Sequence, residues 1–272
     1  DLGSPYSVYV QDGDLFSRSY NSTTKILTVN AKCRGSTVLV VDWNSPVGDW
    51  VIDVNTVVSD KVIYLNGSLI VTNGTTLVLD NVTVFMTNFS ANGDHGISIG
   101  TETTNGTLII RNSRILNGTS YCYYFRAYGT IKAENCTFMG VGWESSYPYE
   151  NGGLWLGGDG GCMKNSIIAK GNANGLVLFD VSDVLVQNVT LYDFPYAEEG
   201  ALFLCGGSST LSNVTLKDVR IYACRCGLQI YRYQNVFCEN FEVRNIVEGY
   251  GIIIQGTSEN ITIRDSIAYN NG

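Results

Sequence analysis

From about residue 175 onward, apolar residues recur at every second position in short bursts, each opening at or just after a glycine. Four segments lie over one another: GLVLFDVSDVLVQNVTLYDF (175–194), ALFLCGGSSTLSNVTLKDV (201–219), GLQIYRYQNVFCENFEVRNI (227–246) and GIIIQGTSENITIRDSIAYN (251–270). In each, a short strand is followed by a loop, a second strand, an Asn or Asp, and a third strand. Period-two alternation, as in Leu176/Leu178, Leu228/Ile230 and Ile252/Ile254, predicts strands rather than helices. The shared polar position is Asn188, Asn213, Asn240 and Asp265, and the same local pattern appears earlier at Asn81, Asn112, Asn135 and Asn165. Successive marks are 23 residues apart (Asn112 to Asn135) to 31 apart (Asn81 to Asn112). That is the length of one circuit of a solenoid made of three short strands and three turns.

Asparagine suits such a turn because it tolerates the left-handed backbone region and bonds neighbouring backbone groups. Stacked coil on coil, one amide donates to the next carbonyl. The expectation is a structural ladder whose amides point inward and satisfy one another in a buried row. Eight marks predict an all-β, single-stranded right-handed parallel β-helix of about eight coils.

The repeat resembles the right-handed parallel β-helix family of pectin-lyase-like proteins, particularly the repeat-rich surface proteins that share that fold. The stretch KVIYLNGSLIVTNGTTLVLDNVTV (61–84) also looks like the first coils of exported archaeal and bacterial β-helix proteins. The resemblance covers about residues 50–272. It implies a fold but no single function, since lyases, hydrolases, tailspikes, adhesins and structural proteins all use it. Residues 1–45 carry no ladder position; PYSVYVQDG, TTKILTVNA and STVLVVDW read as strands between polar turns. They are expected to form an N-terminal β cap or donor arm, with the β-helix occupying 46–272.

Composition narrows the function classes. With 30 Gly, 4 Pro and only 15% charged residues, the 272-residue chain suits short strands and tight turns. Its net charge of −8 and the absence of basic runs argue against a nucleic-acid partner. No apolar stretch reaches the ~18–20 residues of a membrane span. No signal peptide is visible, so a mature exported form, extracellular or at the cell surface after signal-peptide removal, is expected.

Eight cysteines, Cys33, Cys122, Cys136, Cys162, Cys205, Cys224, Cys226 and Cys238, read either as small buried hydrophobes or as disulfide partners in an oxidising compartment. The second reading is the expectation taken here. With one histidine and no C-x-x-C, no metal site is expected. No cofactor is expected either, apart from covalent N-glycans; calcium is the one ion the acidic turns suggest.

The segment GDHGISIGT (93–101) resembles the Gly-His-Gly-Ile-Ser-Ile-Gly signature of polygalacturonases and contains His95, the weak catalytic candidate. The Asn-Thr-Asp, Asp-Asp and Arg-Ile-Lys motifs that the resemblance also requires are missing. Paired carboxylates are therefore not in evidence, and inverting hydrolysis needs them. Calcium-dependent lyase chemistry would draw on Asp42, Asp49, Asp53, Asp180, Asp183, Glu198, Glu199 and the GGDGG turn at 157–161, which are scattered.

Eleven N-x-S/T sequons stand in the chain. Asn21, Asn66, Asn73, Asn88, Asn105, Asn117 and Asn260 are expected in exposed turns and able to carry glycans. Asn81, Asn135, Asn188 and Asn213 coincide with the ladder and are expected to be unavailable. Aromatic residues concentrate at 121–128 and 143–158, which suits contact with carbohydrate or with another subunit.

The last coil runs to the final residue without an evident cap, and an open sheet edge is a template for another chain. The leading expectation is a non-enzymatic extracellular glycoprotein, of archaeal type, that assembles head-to-tail with copies of itself into a filament or layer. The alternatives are a polygalacturonase- or pectate-lyase-like enzyme and a monomeric adhesin or viral receptor-binding spike.

Overall fold

The computed structural model describes residues 7–10, 13–21, 26–33, 39–42, 48–87, 89–144, 150–206 and 213–271. From Trp50 onward each circuit contributes a short strand to a first sheet: Trp50–Ile52, Leu69–Val71, Gly96–Ile99, Tyr124–Ala127, Leu154–Leu156, Leu176–Phe179, Leu202–Cys205, Leu228–Tyr231 and Ile252–Gln255. All eight neighbouring pairs are parallel and in register, for example Leu69 beside Ile97 and Leu178 beside Leu204. The sheet therefore climbs eight coil-to-coil steps. The expected right-handed parallel β-helix of about eight coils is the observed architecture.

A 14-stranded sheet forms the other walls, and it bends where a strand passes a left-handed residue. In Thr76–Met86, Leu77 and Leu79 are buried, then Asp80 and Asn81 both face outward, then Val82, Val84 and Met86 are buried. One extra outward step resets the alternation, so a single strand lines two walls. Parallel strands buried against a shared interior need this near-continuous apolar lining. Stacked, the inward residues make one core running from Ile52 to Ile246.

The bend falls at one column of residues with φ between 49° and 56°: Asp60, Asn81, Asn112, Asn135, Asn165, Asn188, Asp218, Asn240 and Asp265. Two expectations about it need correction. Asn213 does not belong to this column, where Asp218 stands instead; Asn213 lies in a second left-handed column with Asp183, Asn235 and Asn260. And the ladder is not buried. Asn135 Nδ2 donates to Asn112 Oδ1 at 3.1 Å, and Asn188 Nδ2 to Asn165 Oδ1 at 2.9 Å, on the outer surface. Asn81, Asn112, Asn135, Asn165, Asn188, Asn213, Asn240 and Asp265 are all exposed. The physical reason is the backbone itself: at a convex corner the inward positions belong to the flanking strands, and the turn side chain is left pointing to water.

Toward the N-terminus the pairing changes sense. Ser7–Val10 pairs antiparallel with Leu39–Asp42, and Gly13–Asn21 with Ile26–Cys33.

Candidate ligand cleft on the first sheet

On the first sheet, alternate residues face away from the core. Those of successive coils are Ile70, Ser98, Arg126, Trp155, Val177, Phe203, Gln229 and Ile253, a row without a carboxylate. Trp155, Val177, Phe203 and Cys205 form a second apolar cluster, separate from the interior, with Tyr128, Phe179 and Tyr231 against it. The Trp155 ring meets Tyr128 at 5.0 Å edge-on and Phe179 at 5.7 Å.

Next to this cluster lies a cleft in two parts that share Tyr128. A hollow of about 520 Å³ is lined by Ile70, Ser98, Gly100, Thr101, Glu102, Thr103, Arg126 and Tyr128. A polar one of about 330 Å³ is lined by Asn105, Tyr128, Gly129, Thr130, Gly157, Gly158 and Asp159. Glycine forms its floor because nothing larger fits. A Cβ on Gly129 would stand 2.0 Å from Gly106 O, and one on Gly158 would stand 2.2 Å from Gly129 O.

The YCYYFRAY segment splits by alternation. Tyr123 and Phe125 enter the core, where the Tyr123 hydroxyl donates to Ile115 O at 3.3 Å. Tyr124, Arg126 and Tyr128 face outward. The Arg126 guanidinium lies 4.5 Å over the Tyr124 ring and its Nη2 donates to Asn151 Oδ1. Asn151 Nδ2 donates in turn to Glu144 Oε2 at 3.3 Å. Burial and a hydrogen bond to Glu150 push the Tyr128 phenol up to about 12, so it stays a neutral donor. Arg126 Nε, in the wall of the larger hollow, is buried without a partner, and so is Trp155 Nε1 in the adjoining apolar cluster. Leaving such donors unsatisfied costs about 1–3 kcal/mol each. A ligand rich in oxygen acceptors relieves that cost, and the flanking rings offer it apolar faces.

The candidates from sequence fall elsewhere. His95 packs against Phe89, ring centres 5.6 Å apart, beside a hollow of about 420 Å³ lined by Phe89, Ser90, Asp94 and His95. Asp94 is engaged by Ser90 N (2.7 Å), Ser90 Oγ (2.6 Å) and Ala91 N (2.8 Å), which lower its pKa. Ile97 and Ile99 of the signature-like segment line the core, and only Ser98 faces out. In the GGDGG turn, Asp159 Oδ1 accepts from Ser182 N at 2.7 Å. Asp49 accepts from Ser68 N at 2.8 Å and Glu198 pairs with Arg225 at 2.8 Å. Among the described residues no three His, Cys, Asp or Glu converge as a metal site.

Seven cysteines, all but Cys33, are described with their side chains, and each is a free thiol. The disulfide expectation is thus not met among them. Cys136 and Cys205 are held near 11, and Cys224 and Cys238 near 12, chiefly by burial. They behave as small core residues, which was the competing reading. Cys33 lies in the strand Ile26–Cys33.

Among the expected glycan acceptors, Asn73 and Asn105 are exposed, and Asn66 Oδ1 accepts from Gly48 N at 2.7 Å. Asn117 Nδ2 donates to Thr119 O at 3.0 Å, and Asn260 Nδ2 to Asn235 Oδ1 at 3.0 Å on an exposed turn. Asn21 ends the strand Gly13–Asn21. Asn88 lies outside the described residues.

Sequence reading missed Glu102 and Asn151 as cleft residues, and Asp60 as a corner residue. A strict outward-inward parity through 121–128, extended across coils, was the signal for the cleft. Asp60 was hidden because Lys61 follows it, where the other marks are followed by a small or apolar residue.

Residues 152–272 match a family model described as a right handed beta helix region. That match covers the coils from Leu154 onward and agrees with the fold. A search among curated proteins found no match. Among the described residues, no helix is long and apolar enough to cross a membrane.

Proposed function

We propose that the chain is a non-enzymatic extracellular glycoprotein that holds a neutral saccharide in the cleft around Arg126 and Tyr128. The observation carrying this reading is the unpartnered donor Arg126 Nε in the wall of an open hollow, beside the Tyr128 and Trp155 rings. Sugar hydroxyls accept from such donors and also donate to carboxylates, here Glu102 in the wall and Glu150 at Tyr128. A charged sugar acid would meet those carboxylates on a molecule of net charge −8.

The test is binding to an array of neutral oligosaccharides, followed by calorimetry on the best binder. Arg126→Ala and Tyr128→Ala are expected to weaken affinity tenfold or more, about 1.4 kcal/mol. Equal affinity in both variants, or no binder at millimolar concentration, would sink the reading.

Head-to-tail assembly is the second reading. On the circuit from Ile252, Ile254 is 45% exposed, although earlier coils bury the equivalent apolar positions at Ile230 and Leu204. A second copy seated there would cover it.

A further inference from the structure

We infer that the two exposed corner columns are N-glycan attachment rows, with acceptors on every second coil. In the first column the residues run Asn81, Asn112, Asn135, Asn165, Asn188 through five successive coils. Asn81, Asn135 and Asn188 begin N-x-T sequons; Asn112 (Asn-Ser-Arg) and Asn165 (Asn-Ser-Ile) do not. The second column repeats the alternation: Asn213 and Asn260 begin sequons, and Asn235 between them (Asn-Val-Phe) does not.

The corner geometry makes these side chains available. Each acceptor is exposed and left-handed, and the threonine of each sequon, Thr83, Thr137, Thr190, Thr215 or Thr262, occupies an outward position in the strand that follows. The ladder consumes one N–H only. Asn81 donates to Asp60, Asn135 to Asn112, Asn188 to Asn165, Asn213 to Asp183 and Asn260 to Asn235, at 2.8 to 3.1 Å. The second hydrogen on Nδ2 is the one replaced. In the transfer, Nδ2 attacks the anomeric carbon of an oligosaccharide activated on a lipid-linked phosphate. The C–N bond forms as the C–O bond to phosphate breaks, the lipid phosphate leaves with the electron pair, and the amide proton passes to solvent.

Alternation has a steric cause. Neighbouring strands are about 4.8 Å apart, so acceptors on adjacent coils would crowd two sugar rings into one strand spacing, whereas every second coil leaves about 10 Å. A purely structural ladder has no use for this pattern, because Asn serves equally well with or without Thr two residues on.

This inference rests on the glycoprotein reading above, and the experiment separates the two. Protein secreted through a route that attaches N-glycans is digested, and site occupancy is read by mass spectrometry. Glycans at Asn135, Asn188 and Asn213 are expected on most molecules. Bare columns on protein that carries glycans at Asn73 or Asn105 would overturn the inference alone; a chain without any glycan would overturn both. The variant Arg114→Thr completes a sequon at Asn112 and tests the spacing. No molecule should carry glycans at Asn112 and a neighbour, Asn81 or Asn135, together; joint occupancy would defeat the steric argument.

Discussion

At the corners, one side chain meets two demands: a left-handed backbone, which costs most residues about 1–2 kcal/mol, and a polar contact one coil down. Asn and Asp meet both, so in the segment 201–219 Asn213 and Asp218 each fit the pattern, and only the register separates them. The polar mark was legible in sequence because both demands select the same residue types. Its direction was not, since a side chain at a convex corner and one in a buried ladder follow the same spacing. Asp94 shows a different polar residue at work, closing the 90–94 turn through three hydrogen bonds that favour its ionised form. A carboxylate with a lowered folded-state pKa contributes stability above its unfolded value and loses it as pH falls through the folded value. Amide protection at Ser90 and Ala91 should therefore persist through the ordinary aspartate range near pH 4 and vanish only below it. Exchange that accelerates already at pH 5, or an Asp94→Asn variant with unchanged protection at neutral pH, would remove Asp94 as the holder of this turn.

At the level of the strand, each inward position repeats along the stack, and Cys238 occupies a column with Leu216, Val186, Met163, Ala133 and Ile110. Its neighbours explain why a thiol there is a packing group: burial alone holds its pKa near 12, so at neutral pH it presents no thiolate. Even cysteine counts cannot reveal this, because a disulfide framework and a set of core thiols share the same composition. The strands themselves were readable, since period-two alternation is what a half-buried ladder requires. The cleft was less so, because it depends on which outward residues of different coils become neighbours, which only register decides. Alkylation of the native protein should label Cys162, which is partly exposed, at least tenfold faster than Cys224 or Cys238, both fully buried. All three should label alike after denaturation without reductant. Thiols that stay unlabelled in denaturant until a reductant is added would restore the disulfide reading.

For the whole molecule, a stack of coils gains stability from nearest-neighbour contacts, so a coil covered on both sides should open less often than one covered on one side. The strand Leu185–Phe194 has partners on both sides, Cys162–Ala169 below and Val214–Lys217 with Arg220–Cys224 above. The strands Ile252–Gln255 and Glu259–Arg264 each pair on one side only, with Leu228–Tyr231 and Gln234–Glu239. Ile252, Ile261 and Ile263 there are only partly buried. Hydrogen exchange at low protein concentration should consequently be faster at 252–269 than at 185–194. If copies stack head-to-tail on that surface, raising the concentration adds a neighbour on that side, and exchange at 252–269 should slow while 185–194 stays unchanged. Exchange at 252–269 that is independent of concentration over a hundredfold range would eliminate stacking through this face.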